Sequence, residues 1–235
     1  MTGTRTALVT GSAQGIGLAI ASALAADGVA VIGVDIRPHG LDGGRVLVAD
    51  LADPAAIARL VADAGPVDIL VNNAAILIEK PIEDVSLEDF DRQVAVNLRA
   101  PFLLSRGFGA GMRERGWGRI VNVASDAGRV GSSSEAVYSG AKGGMIAFTK
   151  TIARESARRG VTANAVCPGP TRTPLLESMT ATGGERLIDA LTRAVPMRRL
   201  AEPGDVAAAV AFFASENAGF ITGQTLSVSG GMTMA

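Results

Sequence analysis

Tyr138 and Lys142 stand four residues apart in a segment of helical periodicity, which puts a phenol and an amine on one face, one turn from each other. A phenol gives up its proton only near pH ~10 unless its surroundings favour the anion. A neighbouring ammonium and the positive charge of an oxidised nicotinamide both do so. Such a phenol can take the hydroxyl proton of an alcohol while hydride leaves the carbon, and can return a proton to the alkoxide in the reverse direction. An ordinary amphipathic surface helix carries the same pair, so the reading depends on the rest of the chain.

The run Thr10-Gly11-Ser12-Ala13-Gln14-Gly15-Ile16-Gly17 follows an apolar strand-like segment and opens an apolar helix. Glycine allows positive φ and close backbone approach, and the N–H groups and dipole at a helix start attract phosphate. Asp35 ends the next apolar segment, 18 positions after Gly17, near where an acid accepts hydrogen bonds from an adenosine ribose. A glycine turn can also join strand to helix without a ligand, and a strand-end Asp can cap its own loop. Together the two point to a dinucleotide, with Gly11, Gln14, Gly15, Ile16 and Gly17 around the pyrophosphate. A carboxylate at Asp35 repels a 2′-phosphate, so NAD is the expected cofactor, with Arg37 leaving some tolerance for NADP.

With the glycine turn, Asn72-Asn73-Ala74-Ala75, Ser125 and the Tyr138/Lys142 pair in that order, the sequence resembles the short-chain dehydrogenase/reductase family over essentially its whole length. The resemblance implies a catalytic set of Asn97, Ser125, Tyr138 and Lys142. Ser125 would hydrogen-bond the substrate oxygen, Asn97 would hold a water in a proton relay through Lys142, and Lys142 would also hold the nicotinamide ribose. It further implies that Asp50 and Leu51 contact adenine, that Asn73 and Ala74 lie beside the cofactor, and that Pro168, Gly169 and Thr173 run along the nicotinamide. Ala75 stands where the family usually has glycine, which adds a methyl group to a tight site. Residues Thr173 to Pro196 correspond to the family's substrate lid, and homo-oligomers, usually tetramers built on the helices carrying Asn97 and Tyr138, are the family habit.

Within the family, the stretches Ser125 to Ser133, Cys167 to Thr171 and Phe220 to Gln224 are similar to enzymes that oxidise a cyclic β-hydroxyacyl-CoA. Arg186, Arg193, Arg198 and Arg199 then either meet CoA phosphates or form a solvated face. A dehydrogenase of a sugar, polyol or aromatic alcohol would carry the same catalytic set. A dinucleotide sensor without turnover is the rival outside enzymes, and four unsubstituted catalytic positions count against it.

These residues need a scaffold, and the chain reads as one. Apolar runs at Thr6 to Thr10, Val29 to Asp35, Arg45 to Asp50, Val67 to Asn72, Arg119 to Ala124, Val161 to Val166 and Thr225 to Val228 read as parallel strands covered on both faces. Ile16 to Ala26, Leu87 to Arg115, Val137 to Arg158 and Val206 to Ala214 read as helices. The expected fold is α/β, a single-domain Rossmann-type doubly wound parallel sheet of about seven strands over residues 1–235, with helices on both faces. Ile36 to Gly44, with one proline and three glycines, leave room only for a loop.

At 235 residues, 48% hydrophobic, the chain can bury one sizeable core. A net charge of −1 without a basic block argues against nucleic acid or an anionic membrane as partner, and favours a small-molecule substrate. Mean hydropathy is +0.30, yet polar residues interrupt every apolar run before the roughly 18 residues of a membrane span. Cys167 is the only cysteine, and a cytoplasmic location is expected. No metal site is expected, since His39 is a lone loop histidine. Cys167 reads as a buried filler and Trp117 as packing at a turn. Met232 and Met234 fit either a subunit contact or the substrate pocket.

Overall fold

In the computed structural model, which describes residues 4–180 and 184–234, the seven apolar runs lie side by side, all parallel. They are β1 (Thr6–Thr10), β2 (Ala30–Asp35), β3 (Arg45–Val48), β4 (Ile69–Asn72), β5 (Gly118–Val123), β6 (Val161–Pro168) and β7 (Thr225–Val228). Their order across the sheet is β3-β2-β1-β4-β5-β6-β7. Every residue of β4 and β5 is buried, as a strand covered on both faces must be. Period-two alternation sorts the side chains into two layers. Leu8, Leu70 and Ile120 pack with α2 (Pro54–Ala64) and α4 (Ala100–Arg115), whereas Ala7, Val9, Ile69, Val71 and Val121 pack with α1 (Gly15–Ala26) and α9 (Pro203–Ala214). The helices α3 (Leu87–Val94), α5 (Ala127–Val130), α6 (Ala136–Ser156), α7 (Pro174–Thr180) and α8 (Gly184–Ala194) complete the chain. No helix among the described residues is long and apolar enough to cross a membrane.

Strand order reverses between β1 and β4, and in an open parallel sheet that is where a crevice opens beyond the carboxyl ends. Gly17 lets α1 close onto β1, because a Cβ there would stand 2.0 Å from the Gly11 carbonyl oxygen. The Ile36 to Gly44 connection is a loop, as its composition requires. Strand limits shift by a residue or two, with β6 reaching Pro168, paired with Val228, and β3 ending at Val48.

Helices differ from the sequence expectation in two ways, one being interrupted and α2, α5, α7 and α8 being additional. The Leu87 to Arg115 helix is interrupted by a π turn at Ala95–Arg99. Pro101 has no N–H to donate to the Asn97 carbonyl, so the α-helical ladder loses that bond and the turn widens. Of the additional helices, α2 has its signals in the sequence: Asp53 caps Ala55 N–H, Pro54 occupies the first turn, and Ile57, Leu60 and Ala64 recur on the buried face.

Candidate active site

A cleft of about 1420 Å³ opens beyond β1, β4, β5 and β6. Every residue expected in the catalytic set or at the dinucleotide lines it, except Asn97. Gly11, Gln14, Gly15, Ile16, Gly17, Asp35, Asp50 and Leu51 belong to one part; Ser125, Tyr138, Lys142, Pro168, Gly169 and Thr173 belong to the other, and Asn73 and Ala74 lie between.

In the first part, Gly11 and Gly15 take φ of 69° and 56°. Asn73 Nδ2 donates to the carbonyls of Thr10 (2.9 Å) and Gly11 (3.3 Å), and Thr10 Oγ1 accepts from the N–H groups of Asn73 and Ala74 (3.0 Å each), so the two loops move as one. A Cβ on Gly11 would sit 2.9 Å from Ala74 Cα. Gln14 supplies no side-chain cap to α1, and Gly15, Ile16 and Gly17 of its first turn line the cleft. Asp35 caps its own loop and also borders the cleft. Its carboxylate accepts from Ala13 N–H and Arg37 N–H (3.2 Å each). Arg37, 62% exposed, has Nε 3.9 Å from Asp35 Oδ1 and donates from Nη2 to Gln14 Oε1 (3.1 Å). Asp50 Oδ1 accepts from Ala52 N–H (2.8 Å). His39 is more than a surface loop residue: Nε2 hydrogen-bonds Ser12 Oγ (3.0 Å) and Nδ1 lies 3.3 Å from the Arg37 carbonyl, which fastens the short loop to the glycine turn. Its ring does the anchoring that a crossover helix would otherwise provide, a contact no local pattern announces.

In the second part, Ser125 follows β5 and its Oγ accepts from Ala127 N–H (3.2 Å). Lys142 is 1% exposed, donates from Nζ to the Val123 carbonyl (2.8 Å), and stands 5.6 Å from the Tyr138 ring centroid. Burial pushes the Tyr138 phenol up to about 12, with the Glu135 charge adding to the rise and the Ser125 hydrogen bond opposing it. Burial likewise brings the Lys142 amine down to about 8. In the chain by itself desolvation sets the direction, and the expected lowering of the phenol calls for the nicotinamide charge as well as Lys142.

Asn97 is fully buried behind the cleft wall, where Nδ2 donates to the Ile76 carbonyl (2.8 Å) and Oδ1 accepts from Ile76 N–H (3.0 Å). Its side chain holds the loop after β4; its own carbonyl is the group that Pro101 deprives of an α-helical donor. Glu135 and Asp126 line the cleft without having been singled out by spacing, although Asp126 directly follows Ser125.

Met232 lines the cleft, whereas Met234 is 85% exposed. The lid-region arginines do not line it. Arg199 forms a two-pronged pair with Asp205 (2.6 and 2.9 Å), Arg198 donates to the Arg193 carbonyl (2.8 Å), and Arg186 and Arg193 are exposed. Cys167 is fully buried, with its thiol raised to about 11, mainly by burial. Trp117 lies between the guanidinium groups of Arg5 and Arg119, 3.8 and 4.4 Å from its ring centre.

A family model described as enoyl-(acyl carrier protein) reductase matches residues 11–233. The chain is 41% identical to acetoacetyl-CoA reductase of Rhizobium meliloti over 98% of its length and 99% of that protein. It is 40% identical to the 3-oxoacyl-[acyl-carrier-protein] reductase FabG of Vibrio cholerae, over 98% of each. A solved structure from Beutenbergia cavernae, described as a candidate NAD(P)-dependent gluconate 5-dehydrogenase with NADP at low occupancy, superposes with a TM-score of 0.90 at 38% identity, covering 97% of this chain and 96% of that one. These likenesses carry the family and the reaction type; they add nothing to the narrower resemblance to 2-hydroxycyclohexanecarboxyl-CoA dehydrogenase.

Proposed function

Since the chain belongs to the short-chain dehydrogenase/reductase family, oxidoreductases that act on hydroxyl and keto groups with NAD or NADP, we propose that it interconverts a secondary alcohol and a ketone with Tyr138 as acid/base and NAD as the preferred cofactor. The observation that carries the proposal is the common cleft shared by the glycine turn and by Ser125, Tyr138 and Lys142.

The residues fit a dinucleotide. The first turn of α1 receives the pyrophosphate, Asp35 takes ribose hydroxyls, and Asp50 with Leu51 borders the adenine. When bound, the nicotinamide supplies the hydride acceptor or donor. Ser125 Oγ donates to the substrate oxygen, and Tyr138 removes the hydroxyl proton in oxidation or returns one in reduction. Lys142 favours the phenolate electrostatically and passes the proton to a water held by Asn97 and so to solvent. The preference for NAD rests on the carboxylate of Asp35, 11% exposed at the ribose position; the NADP seen in the Beutenbergia cavernae structure belongs to that protein.

For the substrate, the 173–196 segment, of which 181–183 lie outside the described residues, acts as a lid, with Leu175, Leu176 and Leu191 beside Met232 forming an apolar wall. Glu135, half-buried near Tyr138, disfavours a free carboxylate next to the reacting carbon and suits an uncharged group there. A cyclic β-hydroxyacyl-CoA satisfies both features, its thioester being neutral. Its likeness rests on the Ser125 to Ser133, Cys167 to Thr171 and Phe220 to Gln224 stretches, since the lid-region arginines stand off the cleft. The same Glu135 accepts a second hydroxyl equally well, which favours a polyol or sugar as the second reading.

The test is NADH formation at 340 nm with NAD and a panel of cyclic and linear hydroxyacyl-CoAs, polyols and aryl alcohols, with Tyr138→Phe as control. Turnover on the cyclic thioester that vanishes in the control supports the first reading. Turnover confined to polyols moves the assignment to the second, and full activity in the control overturns the role of Tyr138.

A further inference from the structure

Asp126 follows Ser125, lines the cleft and is 7% exposed. Its Oδ1 accepts a hydrogen bond from Ser227 Oγ on β7, 101 positions away in sequence. Its Oδ2 is buried with no hydrogen-bond partner among the described residues. A buried carboxylate so sparsely partnered is costly, and two small apolar side chains would join β5 to β7 at less expense. The arrangement therefore calls for a use beyond stability.

The polar chain continues past Asp126. Ser227 Oγ, its proton given to Asp126, lies 3.5 Å from Ser229 Oγ, which accepts from Thr233 N–H (3.2 Å) and has one proton for either Ser227 Oγ or the Thr233 carbonyl (3.5 Å). Gly230 and Gly231, at φ of 61° and 88°, turn the backbone between Ser229 and Met232. Met232 and Thr233 then lie on the cleft together with Tyr138, Leu175 and Leu191. The turn has two further backbone bonds, Met232 N–H to the Ser229 carbonyl (3.2 Å) and Met197 N–H to the Gly230 carbonyl (3.1 Å). Beyond Met232, the Ser229 hydroxyl supplies the hydrogen bonds among the described residues.

We propose that Asp126 is a positioning residue which, through Ser227 and Ser229, fixes the Met232–Thr233 segment as the far wall of the substrate end and so sets the size of substrate that reaches Tyr138. The inference rests on the reading that the Tyr138 end of the cleft receives the substrate. Loss of any member of the chain frees the wall while Ser125, Tyr138 and Lys142 keep their places.

Two measurements test it on the whole protein. Hydrogen–deuterium exchange of the 229–234 segment in Asp126→Asn, Ser227→Ala and Ser229→Ala is expected to speed about tenfold in each, without comparable change in α6. Unaltered exchange overturns the relay, and this readout needs no substrate. Steady-state kinetics with 2-hydroxycyclohexanecarboxyl-CoA and 3-hydroxybutyryl-CoA then tests selectivity. Ser229→Ala is expected to change the ratio of their kcat/KM values about tenfold through KM, with kcat nearly constant. Met232→Ala should change it in the same sense, and Ser229→Ala added to Met232→Ala should change it little further. A lower Tm with an unchanged ratio overturns the selective role and leaves only a staple. If the wild type turns over neither thioester, the substrate reading fails, while the exchange result still decides whether the relay holds the wall.

Discussion

Replacing Lys142 by Met removes the cation and keeps a chain of similar length in a site only 1% exposed. Taking the 5.6 Å between Nζ and the Tyr138 ring centre as the separation, the interaction of a charged lysine with the phenolate is about 3 kcal/mol at an effective dielectric of about 20, or about two pKa units. Oxidation of the alcohol needs the phenolate, so kcat/KM near pH 8 should fall about 100-fold and the rise of activity with pH should move up by about two units. The assay is initial-rate NADH formation from pH 6 to pH 10.5, with Tm followed in parallel. Stability has its own sign. Lys142 sits at about 8 in the fold, below its unfolded value of about 10.4, so the unfolded chain holds the extra proton between those values and wild-type stability rises with pH across that window. Tyr138, held at about 12, acts in the opposite direction above pH ~10. The variant should lose the rise. A decrease of less than about threefold with an unmoved pH profile would refute the electrostatic role of Lys142.

Asp35→Asn removes the charge that repels a 2′-phosphate and leaves Arg37 in place, so the NADP to NAD ratio of kcat/KM should rise at least about tenfold; an unchanged ratio assigns the preference to other groups. The tetramer expected of the family would use α4 and α6, and Phe102 on α4 is 50% exposed. Phe102→Asp should shift the mass measured by light scattering to a smaller species, and an unaltered tetramer would place the contact elsewhere.

Much of the fold could be read from the chain because its determinants are local. Continuous apolar runs reach the buried strands, and the glycine turn and Asp35 line one part of the cleft, as their positions at strand ends require. Ser125, Tyr138 and Lys142 lie on adjacent elements, so their order along the chain already brings them together. The anchoring of His39 on Ser12 and the Asp126–Ser227 bond were not readable, since each joins residues whose meeting depends on how loops and strands are finally packed. The desolvation of Lys142 and Tyr138 was not readable for a related reason: spacing gives proximity, while burial depends on everything packed around the pair.

The π turn is a different case, because its cause, Pro101, is plain in the sequence and only its consequence is structural. Pro101→Ala restores an N–H four residues after Asn97, which allows the Ala95–Arg99 turn to tighten into a regular α-helix. The Asn97 carbonyl would then accept within the helix and would no longer be free to hold the water proposed for the relay from Lys142. Removing proline from a first helical turn alters stability only modestly, so Tm should change little. The expected outcome is a fall in kcat of about tenfold, an enlarged solvent isotope effect and a nearly constant KM, since Asn97 does not line the cleft. A fully active variant with a regular helix over 95–99 would mean that the widened turn only accommodates the proline and that the proton leaves by another route.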